Sequence, residues 1–150
     1  MRRRGFLGLI AGALALPRLA RAQLPQIDPT VRDIIKGARL SRGKVRIEMP
    51  VLAENGNAVP LRVSVDSPMT PQDHVEVIHL VSDRNPMRHM AAFHFGPHSG
   101  RAQLATRVRL AGSQYVTALA QMSDGSYWYD STRIQVTLSA CLDESDWIHK

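Results

Sequence analysis

The only cysteine of this chain, Cys141, lies nine residues before the C-terminus, in the segment TLSACLDESDWIHK. Its thiolate is a good nucleophile toward sulfur and toward carbonyl carbon. A buried cysteine would act instead as a small hydrophobic side chain, but the nearby Asp143, Glu144 and Asp146 favour an exposed position or a place in a partner's site. We therefore predict that Cys141 carries a covalently attached group.

Neither neighbour of this cysteine completes a recognisable catalytic motif. Ser139 has no histidine near it in sequence, and His149 stands in the same tail. Two alternatives stay open. Folding could bring a histidine to Ser139, and His149 could approach Cys141. The sequence contains no G-x-S-x-G elbow, no H-E-x-x-H pair and no glycine-rich phosphate loop. We expect other enzymes to act on the thiol, so the chain is predicted to be a carrier and not an enzyme.

Histidines are the other candidate chemistry, because His89, His94 and His98 lie close together in RHMAAFHFGPH. Side chains alternate along a strand, so a spacing of five predicts that His89 and His94 lie on opposite faces. His74 and Glu76 share a face, but two ligands do not make a metal site. We expect solvated or hydrogen-bonded histidines, with no metal and no cofactor.

The N-terminus, MRRRGFLGLIAGALALPRLARAQ, is typical of a removable export signal. An arginine cluster precedes an apolar run at 6–16, and Ala20-Arg21-Ala22 matches a small-x-small cleavage site. The order Arg3-Arg4-Gly5-Phe6-Leu7 is the twin-arginine form. A membrane anchor is the alternative, but about eleven apolar residues are too few to span about 30 Å of hydrocarbon. We predict a signal peptide at 1–22, a periplasmic location and no stable membrane anchor.

Removing this segment changes the charge of the protein. The full chain has 19 Lys and Arg, 13 Asp and Glu, and a net charge of +6. Five of the basic residues and none of the acidic ones lie in 1–22, so the mature chain has 14 minus 13, or +1. A nucleic-acid partner requires a clustered basic face and is not expected.

The pattern of apolar and polar residues in the rest of the chain predicts an all-β domain, and this domain must position the cysteine. A short helix is expected first, with Asp28 or Thr30 as its cap, Pro29 in its first turn and Gly37 at its end. Its apolar stripe comprises Val31, Ile34 and Ile35. Strands are then predicted from alternating apolar and polar residues at 44–49, 61–65, 74–81, 88–95, 103–110, 115–122 and 128–138. Asp124-Gly125 is a hairpin signal between the last two.

About seven short strands separated by turn signals predict an antiparallel β-sandwich of immunoglobulin-like type, with a short N-terminal helix. A small closed barrel is the alternative. The domain is expected over residues 23–138 and a cysteine-bearing arm over 139–150.

Several motifs resemble the SoxY family, the carrier subunit of a periplasmic thiosulfate-oxidising system. They are the twin-arginine leader, the ENG loop followed by VPLRVSVDS, the stretch from Asn85-Pro86 to AAFHF, the segment ATRVRL and a last strand IQVTL that leads to a terminal cysteine. The resemblance implies an immunoglobulin-like sandwich, a SoxZ-like partner, further sulfur-oxidation enzymes of the periplasm as partners, and sulfur intermediates carried on Cys141.

The arm differs from the family's usual Gly-Gly-Cys-Gly-Gly. It is similar to a SoxY-related subgroup with Ala-Ala-Cys-Ile-Glu, and the residues that flank Cys141 here are Ser139, Ala140, Leu142 and Asp143. Without glycine the backbone is restricted, so we expect a stiffer arm. Its carboxylates should disfavour the thiolate by like-charge repulsion.

Two functions remain open at this point. The first is a periplasmic carrier that holds a sulfur-compound intermediate on Cys141. The second is an interaction module without cargo, whose tail docks on a partner.

Overall fold

The computed structural model describes residues 27–139, which form one α-helix and nine β-strands. The elements are α1 (Pro29–Ile35), β1 (Leu40–Arg42), β2 (Val45–Glu48), β3 (Leu52–Asn55), β4 (Val59–Val65), β5 (Val75–Ser82), β6 (His89–His94), β7 (Gln103–Val108), β8 (Gln114–Met122) and β9 (Tyr127–Leu138). The predicted signal peptide at 1–22 lies outside the described residues. So do Ala140, Cys141, Leu142 and Asp143 of the predicted arm.

The N-terminal helix begins and ends where its sequence predicts. Asp28 is the N-cap, and its side chain accepts a hydrogen bond of 2.8 Å from the backbone N–H of Thr30. Lys36 adopts a left-handed conformation with φ of 47° after the last turn, and Gly37 follows with φ of 84°. The chain therefore leaves the helix sharply and enters β1.

Two sheets pack face to face, and the predicted immunoglobulin-like sandwich is confirmed. The large sheet has the order β1-β9-β8-β5-β6, with β3 also paired to β9, and the small sheet has the order β2-β4-β7. Two strands, β1 and β3, were not predicted, because neither LSR nor LAEN alternates apolar and polar residues. Both pair in parallel with β9, so this edge differs from the rest of the antiparallel sandwich.

Alternating side chains of the small sheet build half of the core. In β4 the buried residues are Val59, Leu61, Val63 and Val65, and the residues between them face outward. The inner face of the large sheet supplies the other half, including Ile78, Leu80, Val116, Ala118 and Ile134. Strand alternation thus fixes which residues remain exposed on the outer face.

The outer face of the large sheet is covered in part by α1. Val31 of the helix packs with Val81, Leu119 and Tyr127 in a second apolar cluster. Strand β8 is consequently buried on both faces at its centre. No helix within residues 27–139 combines the length and apolar character that a membrane span requires.

Strand β9 carries the chain to one end of the sandwich. It follows the predicted Asp124-Gly125 turn, in which Gly125 has φ of 79° and its N–H donates to the carbonyl oxygen of Met122 at 2.9 Å. Its pairing with β8 ends at Ile134, but β3 accompanies it as far as Leu138. The short β3 therefore extends the sheet toward the C-terminal tail.

Candidate functional site

The chain leaves the sandwich at a site that we call the arm root, comprising Leu138, Ser139 and their neighbours Asn55, Arg84 and Gly112. Leu138 is paired with Asn55 of β3 and is 64% exposed. A Cβ atom placed on Gly112 would lie 3.4 Å from Ser139 Oγ and 3.4 Å from Arg84 Nε. The arm root is thus formed by four segments that are distant in sequence.

Hydrogen bonds hold β9 in place where β8 no longer accompanies it. The hydroxyl of Ser113 accepts a bond of 2.9 Å from the N–H of Val136. On the other side, the N–H of Gln135 donates to the carbonyl oxygen of Val51 at 2.9 Å. Because β9 is fixed on both sides, the chain reaches Ser139 in a defined position.

A buried polar network lies beneath the arm root. Ser82 and Gln114 are the buried polar residues of the described core, and the Ser82 hydroxyl donates to Gln114 Oε1. Ser82 Oγ also accepts from the backbone N–H of Asn85 at 2.8 Å. The Asn85 side chain donates to the carbonyl oxygen of Arg109 at 2.8 Å and accepts from the N–H of Ala111 at 2.9 Å. Buried polar groups need hydrogen-bond partners, and here they find them across two loops. The bonds therefore hold the 82–88 and 109–113 loops together.

Arg84 adds a positive charge to the arm root. Its side chain lies beside Gly112, and its guanidinium reaches the carbonyl oxygen of Ser113 at 3.5 Å. Cys141 is two residues beyond Ser139, a reach of about 7 Å for extended chain. A guanidinium at this range favours a thiolate and any anionic group that the sulfur carries.

Sequence reasoning did not identify Arg84, Asn85 or Gly112 as site residues. Their segments, Ser82-Asp83-Arg84-Asn85-Pro86 and Ala111-Gly112-Ser113, were recognisable only as turns. Of the predicted arm residues, Ser139 is described and exposed, whereas the thiol itself lies outside residues 27–139. The role of Cys141 therefore stays a prediction.

The histidines are arranged differently from the prediction. Strand β6 contains a β-bulge, since Leu80 pairs with Ala91 but Val81 pairs with His89, which leaves Met90 as an extra residue. His89 and His94 therefore lie on the same outer face, beside His79 of β5. The prediction of opposite faces is wrong because strict alternation does not hold across a bulge.

His79 and His89 form a contacting pair on this face. Nδ1 of His79 lies 3.1 Å from Nε2 of His89, and their ring centroids are 5.1 Å apart. Burial, together with the neighbouring His89 and His94, lowers the pKa of His79 to about 4. The buried Nε2 of His79 has no hydrogen-bond partner within residues 27–139.

A metal centre is not evident in the part of the chain that the structure describes. No group of three or more His, Cys, Asp or Glu side chains there is arranged to hold a metal ion. Because His79 is uncharged near neutral pH, its Nδ1 can donate to or accept from His89 Nε2, depending on the tautomer of the His79 ring.

Comparison with known proteins identifies one family. The family model described as "Sulfur oxidation protein SoxY" matches residues 31–141, which is most of the chain and includes the arm root and the cysteine. A search of curated proteins finds no match.

Solved structures show a similar fold. The sulfur carrier protein SoxY from Chlorobium limicola f thiosulfatophilum has a TM-score of 0.60 at 20% identity, over 73% of this chain and 94% of that one. A superoxide reductase (neelaredoxin) from Ignicoccus hospitalis has a TM-score of 0.57 at 18% identity, over 62% and 79%. A putative superoxide reductase from Thermotoga maritima has a TM-score of 0.53 at 23% identity, over 69% and 90%. At such identities these similarities concern the fold, and one fold supports several chemistries.

Proposed function

Because this chain belongs to the SoxY family of sulfur oxidation proteins, we propose that it is a carrier that holds a sulfur-compound intermediate covalently on Cys141. The course of β9 carries this proposal, since it brings the chain to an exposed end of the sandwich two residues before the thiol. A thiol on such an arm can enter another protein's site. A cysteine in the core cannot.

Loading of the carrier needs only an exchange of bonds. Attack of the Cys141 thiolate on a disulfide-type sulfur donor forms a new S–S bond and breaks the donor's own, and the donor's second sulfur leaves as a thiolate. This step involves no net oxidation, so other enzymes perform the redox chemistry of the cargo. The chain itself contributes attachment and presentation, which agrees with a non-enzymatic role.

The charge at the arm root supports an anionic cargo of the thiosulfate type. Arg84 Nε and Ser139 Oγ both lie 3.4 Å from the Cβ position built on Gly112, so this cation stands beside the last described residue. The arm is a variant, because Cys141 is flanked by Ala140, Leu142 and Asp143. It is stiffer than an arm rich in glycine. Such an arm suits a partner site that accepts a preformed shape.

We further propose that the mature protein works in the periplasm with a SoxZ-like subunit and with sulfur-oxidation enzymes. Large apolar side chains exposed near the arm root support a protein partner there, because buried area at the centre of an interface is mainly apolar. They are Val51, Leu52 and Leu138. Export by the twin-arginine pathway is supported by RRRGFL and the Ala20-Arg21-Ala22 site. N-terminal sequencing of protein from the periplasm should begin after residue 22, and Met1 at its N-terminus would contradict export by this route.

The carrier proposal is tested by the intact mass of protein from its native host during growth on a reduced sulfur compound. We expect a small mass increase that reductant removes and that Cys141→Ser lacks. Unmodified protein under these conditions contradicts the proposal. If the only adduct has the mass of a second protein, the alternative function is supported, namely an interaction module whose tail forms a mixed disulfide with its partner.

A further inference from the structure

An apolar groove opens between the edges of the two sheets, close to the arm root. It lies between β6 and β7, has a volume of about 260 Å³ and is floored by the fully buried Leu80. Its apolar lining includes Met87, Met90 and Phe93. We call it the edge groove. A space of this size can accept one aromatic ring.

The charge of the edge groove is entirely positive. Arg107 and Arg109 line it, and no Asp or Glu is among its lining residues. Four larger hollows on the same surface each include at least one carboxylate, from Glu48, Asp66, Asp130, Asp28 or Asp83. Within residues 27–139 the one ion pair is between Arg88 and Asp28, so neither groove arginine is paired there.

Asn85 links the edge groove to the arm root. The Asn85 side chain lines the groove and accepts a hydrogen bond from Ala111, which precedes Gly112. Gly112 is in turn the neighbour of Ser139. The path from Ser139 to the groove therefore crosses two contacts, Ser139 with Gly112 and Ala111 with Asn85.

The chain beyond Ser139 matches the groove in charge and shape. Residues 142–147 read LDESDW, with three carboxylates and one indole. Eight residues lead from Ser139 to Trp147, a reach of up to about 27 Å for extended chain, which is ample for two residue contacts. Methionine and phenylalanine side chains form favourable contacts with an aromatic ring.

We propose that residues 142–147 dock in the edge groove of their own chain, with Trp147 against Met87, Met90 and Phe93 and the carboxylates beside Arg107 and Arg109. Cys141 is then held between two anchored points, next to Arg84. This inference goes beyond carriage, and it holds whether or not Cys141 bears a cargo.

Nuclear magnetic resonance of the mature chain tests the docked state, because it contains only two tryptophans, Trp128 and Trp147. Trp147→Phe assigns the two indole N–H signals. We expect nuclear Overhauser contacts between the Trp147 indole and the methyl groups of Met87 and Met90. A Trp147 signal at the position of a tryptophan in a free peptide overturns the proposal.

Charge reversal provides the matched comparison. Arg107→Glu with Arg109→Glu should move the Trp147 signal to the free position. Arg39→Glu with Arg46→Glu makes the same change in charge at exposed residues outside the groove and should leave the Trp147 signal where it is in the wild type. Equal behaviour of the two double variants overturns the proposal.

A further variant covers the case in which the groove variant fails to fold. Met87 is 75% exposed at the rim, so Met87→Ser should weaken docking without loss of fold. Its Trp147 signal should shift toward the free position, and an unchanged signal counts against the groove. If the wild-type contacts disappear on dilution, the tail belongs to a second copy and the proposal fails.

Discussion

The side-chain amide of Asn85 donates a hydrogen bond of 2.8 Å to the carbonyl oxygen of Arg109 and so joins the two loops beneath the arm root. Its oxygen accepts from the N–H of Ala111 at 2.9 Å and from Gln114 Nε2 at 3.1 Å. Its nitrogen also donates to Met90 Sδ at 3.3 Å, so one side chain bonds to four partners.

Asn85→Ala removes these bonds and should destabilise the protein by about 2 to 4 kcal/mol, because each bond contributes about 1 kcal/mol and the groups left unpaired add a cost. Urea unfolding of the mature chain measures this. Asn57→Ala is the control, since its side chain takes part in no hydrogen bond within residues 27–139 and should cost less than about 0.5 kcal/mol. Similar losses for both variants would contradict the network.

Gly112→Ala should destabilise the arm root by about 1 to 3 kcal/mol, because residues other than glycine are strained at positive φ. The φ of Gly112 is 147°, and an added Cβ would contact Ser139 and Arg84 at 3.4 Å. Gly96→Ala is the control, with φ of −147° and nothing within 4 Å of an added Cβ. Thermal melting of both variants decides, and equal melting temperatures would refute the expected strain.

His79 should make stability depend on pH in a defined window. Its pKa is lowered from 6.5 to about 4 in the folded protein, so between these values the unfolded chain binds a proton that the folded chain does not. The contribution of His79 to the free energy of unfolding is therefore fully present above pH 6.5, and it is lost as the pH is lowered toward 4.

Urea unfolding at pH 7 and pH 5 checks this expectation. His79→Gln should lose less stability between the two pH values than the wild type does. His98→Gln alters an exposed histidine elsewhere and should keep the wild-type dependence. Parallel curves for the wild type and His79→Gln would mean that this pair does not set the pH response.

Arg84→Gln should raise the pKa of the Cys141 thiol, because a nearby cation favours the thiolate. The midpoint of the pH profile for alkylation measures the pKa independently of how accessible the thiol is. Arg39→Gln removes an equal charge far from the arm root and should leave the midpoint unchanged. An unshifted midpoint in Arg84→Gln would place the thiol beyond its influence.

Cys141→Ser should abolish carriage while it changes stability by less than about 0.5 kcal/mol, as for a surface substitution away from packing. If the thiol were a buried hydrophobic group, the hydroxyl would cost about 1 to 3 kcal/mol. Thermal melting of the reduced proteins separates the two cases. A melting temperature lowered by more than about 5 °C would contradict an exposed arm.

The sequence by itself determined the features that depend on neighbours along the chain. The cap at Asp28, the turn at Asp124-Gly125 and the alternation of β4 are all local, and all are confirmed. Alternation over seven segments was sufficient to indicate a sandwich, because a strand with one apolar face must bury it against another layer.

Only the tertiary structure decided which distant residues meet. The bulge at Met90 adds one residue to β6 and thereby brings His89 and His94 to one face, which no count of spacing reveals. Strand β3 was too short to recognise, yet its parallel pairing with β9 carries the sheet to Leu138. Arg84 reaches the arm root because hydrogen bonds join residues of two loops that are 24 and 26 positions apart, and such contacts leave no periodic signal in a sequence.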